Sequence, residues 1–256
     1  MRIKFIIPLP LDEEGVKLRA SQLSKELIPP GVEVVWSPVK NSGNLISSFG
    51  DNQYDTFLMD VFCFEEGLRA EKEGFDAVCI DTVTDSGMLG LRSRLNIPVV
   101  GPGTVAYHLA CILGTKFSIV TTWKKWFHFY YKSITEMQLW PKVASIRAAG
   151  VEPDVSKLIT KEKQELTFKA YEEAALKCIE QDGASVIVLG STTMHQAYDY
   201  LKKRLPCPVI NPGIWAFKIA VMLVELGISH SKVSYPSPPQ PQDDMIFSRL
   251  ASAKGK

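Results

Sequence analysis

Apolar and polar residues alternate along this chain with two different periods. Short apolar runs rich in β-branched residues predict strands at Ile3–Pro8, Glu33–Trp36, Ala77–Asp81, Val99–Val100, Phe117–Thr121, Ser145–Arg147, Ser185–Leu189 and Val209–Ile210. Longer stretches with one-faced helical spacing lie between them. They predict helices at Gly15–Leu27, Phe64–Glu73, Met88–Arg94, Val105–Leu113, Trp126–Gln138, Lys161–Gln181, Met194–Arg204 and Ile214–Leu226. In the longest, Leu166, Phe168, Ala170, Tyr171, Ala174, Ala175 and Cys178 make the apolar face. Strands alternating with helices, the strands apolar on both faces, argue for an α/β class with parallel sheets.

The pattern occurs twice. Residues 97–103 read IPVVGPG and residues 207–213 read CPVINPG, and the likeness runs on from Thr104–Ala110 to Ile214–Ala220. Lys4–Ile7 resembles Lys116–Ile119, and Val78–Thr82 resembles Ile187–Ser191. These collinear matches share an offset of about 110 residues. A period this long means a duplicated domain and not a solenoid of short repeats. The expected architecture is therefore two pseudo-symmetric lobes, each a short parallel sheet flanked by helices, with an active-site cleft between them. Lobe 1 is expected to span 1–114 and lobe 2 to span 115–214. From Tyr235 a proline-rich tail begins that holds neither a helix nor an inner strand, with Met245–Ala251 a candidate for a short docked helix.

Composition narrows the function. Lys and Arg number 29 against 28 Asp and Glu, a formal charge of +1, which argues against a dedicated nucleic-acid binder. The five cysteines are Cys63, Cys79, Cys111, Cys178 and Cys207, an odd number with no CxxC pair, so a disulfide scaffold is not expected and a reducing cytoplasm is. The apolar run after Arg2 is broken by Pro8 and Pro10, too early for a secretory leader, and Ile214–Ile228 is too short to cross a bilayer. A cytoplasmic protein with no membrane partner is the expectation. No P-loop, no GxGxxG after a strand and no HExxH is present, so neither a nucleotide nor a metal cofactor is expected.

Ligands of open parallel sheets bind beyond the C-terminal strand ends. Two such ends occupy matching places in the repeat and are crowded with small polar residues. One is Asp81, Thr82, Val83, Thr84, Asp85, Ser86 and Gly87; the other is Gly190, Ser191, Thr192, Thr193, Met194 and His195. Backbone N–H groups at a helix start, together with these hydroxyls, make a cradle for a carboxylate or carbonyl oxygen. Helix capping would account for one or two of the residues, but poorly for their number. The first strand runs into Pro8 and its mate into Thr121 and Thr122, which extend the candidate substrate-binding set of Thr84, Ser86, Gly87, Thr192 and Thr193. His195 follows Ser191 by four residues and would share its helix face. His108, His128 and His230 are scattered, and the aromatic-basic stretch Lys124–Lys132 is read as packing rather than nucleic-acid stacking.

At these residues the sequence resembles the aspartate/glutamate/hydantoin racemase superfamily, closest to its hydantoin racemase-like branch. The resemblance rests on residues 77–88, 97–122, 143–151, 182–194, 207–213 and 226–232. It implies two similar α/β lobes, the first completed by the C-terminal segment at about 215–256, no cofactor, a homo-oligomer, and proton transfer at a carbon next to a carbonyl or carboxylate of a small carboxylate or cyclic amide. Family racemases use two cysteines, one per lobe, as opposed acid and base. Here those two positions fall on Thr82 and Ser191, and none of the five cysteines replaces them.

The substitution matters because a free thiol ionises near pH 8.5, whereas an aliphatic hydroxyl sits far higher and is no base by itself. Thr82 and Ser191 are then expected to hydrogen-bond substrate oxygens. Otherwise Ser191 is a nucleophile activated by His195, Asp81 or Asp85, which would move the chemistry towards hydrolysis or decarboxylation. A third possibility is a non-catalytic binding protein that kept the cleft.

Overall fold

In the computed structural model, residues 1–40, 52–152 and 161–243 are described. Eight strands form two four-stranded sheets, every pairing parallel. The strands are β1 (Arg2–Ile7), β2 (Glu33–Pro38), β3 (Ala77–Ile80), β4 (Val99–Val100), β5 (Phe117–Thr121), β6 (Val143–Ala148), β7 (Val186–Leu189) and β8 (Val209–Ile210). The orders are β2-β1-β3-β4 and β6-β5-β7-β8, so the duplication extends to topology. β3 and β7 are buried along their whole length, as continuous apolar runs in two-sided sheets require.

Ladder registers correct one part of the sequence repeat. Ile3 pairs with Ala77, and Phe117 pairs with Val186. With Ala77 the counterpart of Val186, Ile3 is the counterpart of Phe117, not of Thr115 as the Lys4–Lys116 likeness implied. The shift is two residues, which keeps every side chain on its own face and so goes unseen in an apolar pattern.

The helices are α1 (Glu13–Ala20), α2 (Gln53–Gly67), α3 (Met88–Arg94), α4 (Pro102–Leu113), α5 (Phe127–Glu136), α6 (Lys161–Glu180), α7 (Tyr198–Lys202) and α8 (Pro212–Glu225). Three expectations change. The helix expected over Gly15–Leu27 ends at Ala20, and Lys25–Leu27 is a separate 3₁₀ turn. α2 starts eleven residues before the expected Phe64, because Asn52 caps it by accepting from the Asp55 N–H at 2.9 Å. Thr192–Ala197 is 3₁₀, followed by the short α7, where one α-helix over Met194–Arg204 was expected. The candidate helix Met245–Ala251 lies outside the described residues.

By their packing the residues fall into two units. Unit 1 takes Met1–Asp81, Asp85–Gly101 and Phe217 onwards; unit 2 takes Thr82–Thr84 and Pro102–Ala216. α4 therefore belongs with the second sheet and not, as expected, with lobe 1. Its buried face, Ala106, Tyr107 and Ala110, packs with Phe117, Ile119, Val186 and Val188, and Tyr107 stacks on Phe117 at 5.8 Å. The core of unit 1 lies around Ile6, Phe62, Val78, Ile80, Leu91 and Val99. A second core in unit 2 joins α6 and α7 to Val120, Ile187 and Leu189.

Within unit 1 the C-terminal segment straps onto the end of α3. Lys232 Nζ donates to the carbonyls of Arg92, Ser93 and Leu95, and His230 Nε2 lies 2.9 Å from the Leu95 carbonyl. Arg94 makes a two-pronged pair with Asp243.

Candidate active site

The polar loops leave β3 and β7 in the same way. The Asp81 N–H donates to Ile6 O and the Gly190 N–H to Val120 O, each at 2.7 Å. The next residue is Thr82 after β3 and Ser191 after β7. Thr82 Oγ1 lies 2.9 Å from Thr84 Oγ1 and accepts from the Thr84 N–H at 3.4 Å. Ser191 Oγ lies 2.7 Å from Thr193 Oγ1 and accepts from the Thr193 N–H at 3.2 Å. All four hydroxyl residues are half-buried, while Val83 and Thr192 between them are buried. Each loop thus presents two adjacent hydroxyls in one side-chain-to-backbone turn.

The candidate bases are placed differently. Asp81 is fully buried and held by its own lobe: Arg19 Nε donates to Oδ2 at 2.6 Å, Gln22 Nε2 to Oδ1 at 3.1 Å, and Arg19 Nη2 to its backbone carbonyl at 2.9 Å. Its carboxylate is a structural ion pair and not an available base. Neither Arg19 nor Gln22 was singled out by sequence. The available signal was Arg19 on the buried side of α1, where an amphipathic helix puts apolar residues, and Gln22 just past its end, next to the buried Leu23.

Asp85 adopts a left-handed conformation, φ 53°, between the hydroxyl loop and α3. A Cβ built on Gly101 would lie 2.3 Å from the Asp85 Cγ. Gly101 is the counterpart of Asn211, whose Oδ1 accepts from the Gly213 N–H at 3.1 Å. The Asp85 carboxyl therefore fills the place of the side chain that Gly101 lacks.

His195 is buried, with Nδ1 2.9 Å from the Thr192 carbonyl. A ring nitrogen facing a carbonyl carries the proton, which makes Nε2 the basic nitrogen of the neutral ring. The expected sharing of a helix face by Ser191 and His195 fails, because a 3₁₀ turn has three residues per turn and places Met194, not His195, over Ser191. Every hydrogen bond of the Ser191 hydroxyl among the described residues is to Thr193.

Other candidates serve packing. Thr121 is fully buried with Oγ1 2.6 Å from the Tyr130 hydroxyl, and Thr122 is buried with Oγ1 3.2 Å from that of Tyr171. Pro8 and Ser86 are buried. Gly87 has φ 74° and donates its N–H to Asp60 Oδ1; a Cβ there would meet the Phe64 nitrogen at 2.7 Å. It lets α3 approach α2 and has no visible role towards a substrate.

The cysteines are free, and no thiol is poised as a thiolate. Burial holds Cys63 and Cys79 well above the ordinary thiol range, with Asp60, Asp81 and Glu66 adding negative charge around Cys63 and Asp81 around Cys79. Burial also raises Cys111, Cys178 and Cys207. Among the described residues no group of three or more His, Cys, Asp and Glu is placed to hold a metal ion, and no helix is long and apolar enough to cross a membrane.

Comparison with known proteins identifies the family and the fold. The sequence model of the family described as Asp/Glu/Hydantoin racemase matches residues 16–220. A hydantoin racemase of Paenarthrobacter aurescens is 29% identical over 194 residues, 75% of this chain and 80% of that protein. Among solved structures, the allantoin racemase of Pseudomonas fluorescens superposes with TM-score 0.78 at 27% identity, covering 94% of this chain and 99% of that one. The allantoin racemase of Klebsiella pneumoniae gives TM-score 0.82 at 24% identity, covering 94% and 95%.

Proposed function

The chain belongs to the Asp/Glu/hydantoin racemase family and is an isomerase of the racemase type; from that premise we propose that it moves the proton on the ring carbon next to a carbonyl of a small cyclic ureide, a hydantoin-like ring. The relatives named for hydantoin and allantoin suggest that ring class. Both hydroxyl loops serve one substrate, and the hydroxyls of Thr82, Thr84, Ser191 and Thr193 hold the oxygens on which negative charge develops as the proton leaves. Donors aimed at developing charge stabilise the transition state more than the ground state.

The observation that carries this is the duplication of the hydroxyl pair. Two loops of different sequence, DTVT and GSTT, close the same hydrogen-bonded turn at the same strand end. Capping one short helix does not require the pair in both lobes. Proton transfer itself falls to His195, because an imidazole is a side-chain type that works as a general base near neutrality and an aliphatic hydroxyl is not. A nucleophilic serine is less well supported, since the bonds of Ser191 run to Thr193 and not to a base.

The test is to incubate single enantiomers of a 5-alkylhydantoin with the protein in deuterated water. A single basic group predicts deuterium uptake faster than loss of optical rotation. Uptake found only in the enantiomer formed and at the rate of its formation, or a product of new mass, would refute the assignment.

A further inference from the structure

The carbonyl just before each hydroxyl loop accepts from a buried side-chain donor, and the two donors sit on corresponding helices of the repeat. In the first lobe Arg19 Nη2 donates to the carbonyl of Asp81 at 2.9 Å. In the second the Tyr130 hydroxyl donates to the carbonyl of Gly190 at 2.6 Å. Asp81 and Gly190 are counterparts, and each is the residue just before the loop's first hydroxyl. Arg19 is on α1 and Tyr130 on α5, in each case the first α-helix after the first strand of the lobe. Both side chains are buried, at 6% and 3% exposure.

We propose that Arg19 and Tyr130 are matched positioning residues, which aim Thr82 and Ser191 by holding the peptide that precedes each; this rests on the function proposed above. All described peptides are trans, so fixing the direction of a carbonyl fixes the plane and the N–H of the next residue. The side chain of Thr82 or Ser191 departs directly from that plane. A buried backbone carbonyl needs a donor, and at these two strand ends a side chain from the same lobe supplies one.

Chemistry on both sides supports the assignment. Gly190 has no room for a side chain, because a Cβ would lie 2.9 Å from the Tyr130 hydroxyl and 3.0 Å from the Val120 carbonyl. Tyr130 also takes Thr121 Oγ1 at 2.6 Å, so its hydroxyl is fixed from a second direction. Burial raises its ionisation well above the ordinary phenol value, which keeps the hydroxyl a donor at any working pH. In the first lobe the donor is a guanidinium, and Asp81 supplies the carboxylate that its burial demands. Gln22 then occupies the other carboxylate oxygen. The two lobes reach one geometry with different residues, which a purely local packing need does not require.

The experiment uses Tyr130→Phe, which keeps the ring, and Arg19→Lys, which keeps the charge, each checked for an unchanged melting transition. Amide exchange by mass spectrometry is read first, without substrate. Tyr130→Phe is expected to speed exchange in 190–195 about tenfold or more and leave 81–87 unchanged, and Arg19→Lys to do the reverse. Unchanged protection in both loops overturns the proposal. Activity on a 5-alkylhydantoin is read second, as a cycle with Ser191→Ala. Tyr130→Phe alone should lower kcat by about 10- to 100-fold, the scale of a misplaced catalytic group. In the Ser191→Ala background it should lower kcat no further, because the two act as one unit. An equal factor in both backgrounds means general packing and also overturns it. A fully active Ser191→Ala instead refutes the functional assignment, while the exchange data still judge the anchors.

Discussion

Gly101 and Asn211 stand at one place in the two copies, and Asp85 explains why they differ. Its carboxyl occupies the space a side chain on Gly101 would need, while in the other lobe Asn211 fills that space itself and holds the Gly213 N–H. Gly101→Asn alone should therefore destabilise the fold by about 1–3 kcal/mol through overpacking. Adding Asp85→Gly removes the carboxyl and suits the positive φ, so the double variant should recover to within about 1 kcal/mol, as measured by urea unfolding. A double variant that also keeps its activity would show that Asp85 is not the base. The cysteines allow a second test at this scale. With every thiol pKa raised, iodoacetamide at pH 8 should modify Cys63, Cys79 and Cys178 very slowly, and activity should survive modification of Cys111 and Cys207. Loss of turnover in step with labelling would point back to thiol chemistry. The hydroxyls at 82, 84, 191 and 193 were legible in the sequence as a crowd of small polar residues after strands. Asp81 was misread as a free acid because its partners, Arg19 and Gln22, lie some sixty residues earlier, and a chain read linearly does not show which carboxylate a distant guanidinium reaches.

Strands were far easier to read than helices, for a physical reason. All eight strands among the described residues lie within two residues of the expected bounds, and the central ones, β1, β3, β5 and β7, are buried almost throughout, as apolar runs in a covered parallel sheet require. Helix limits depend on caps and on competing 3₁₀ turns, which leave weak traces in composition. Thus Asn52 opening α2 was missed, and the change of pitch at Thr192–Ala197 undid the i, i+4 argument for Ser191 and His195. The C-terminal segment was expected to complete the first lobe, but the individual bonds of the strap on α3 were not legible, since they join residues far apart in the chain. It carries a pH prediction. Burial first, then the charges of Lys232 and Arg92, lower the pKa of His230 below its ordinary value near 6.5. The folded state then binds the proton more weakly than the unfolded chain. The contribution of His230 is present above about pH 6.5 and is lost as the pH falls below it. Amide protection of residues 226–235, corrected for intrinsic rates, should drop between pH 7 and pH 5. His230→Gln, which keeps a donor for the Leu95 carbonyl, should remove most of that dependence. A drop of equal size in the variant would place the titrating group elsewhere.

At the scale of the whole chain, the repeat was the most informative feature, and it was recoverable from four short likenesses. Both sheets have the same strand order. The place where it misled is instructive: α4 follows β4 in sequence but buries Tyr107 against Phe117 of the second sheet. Sequence adjacency assigned it to the first lobe, whereas the packing of its apolar face assigns it to the second. Duplication also frames the proposed chemistry, which gives each copy of the loop a hydroxyl to lose. Thr82→Ala and Ser191→Ala each remove one hydroxyl and the bond to its neighbour at 84 or 193. The most direct test is the rate of α-proton exchange of a 5-alkylhydantoin in deuterated water, measured for the wild-type chain and for these two variants. The account predicts a loss of about 10²- to 10³-fold in each, the usual cost of one donor to a developing oxyanion. Full exchange activity in either variant would contradict it.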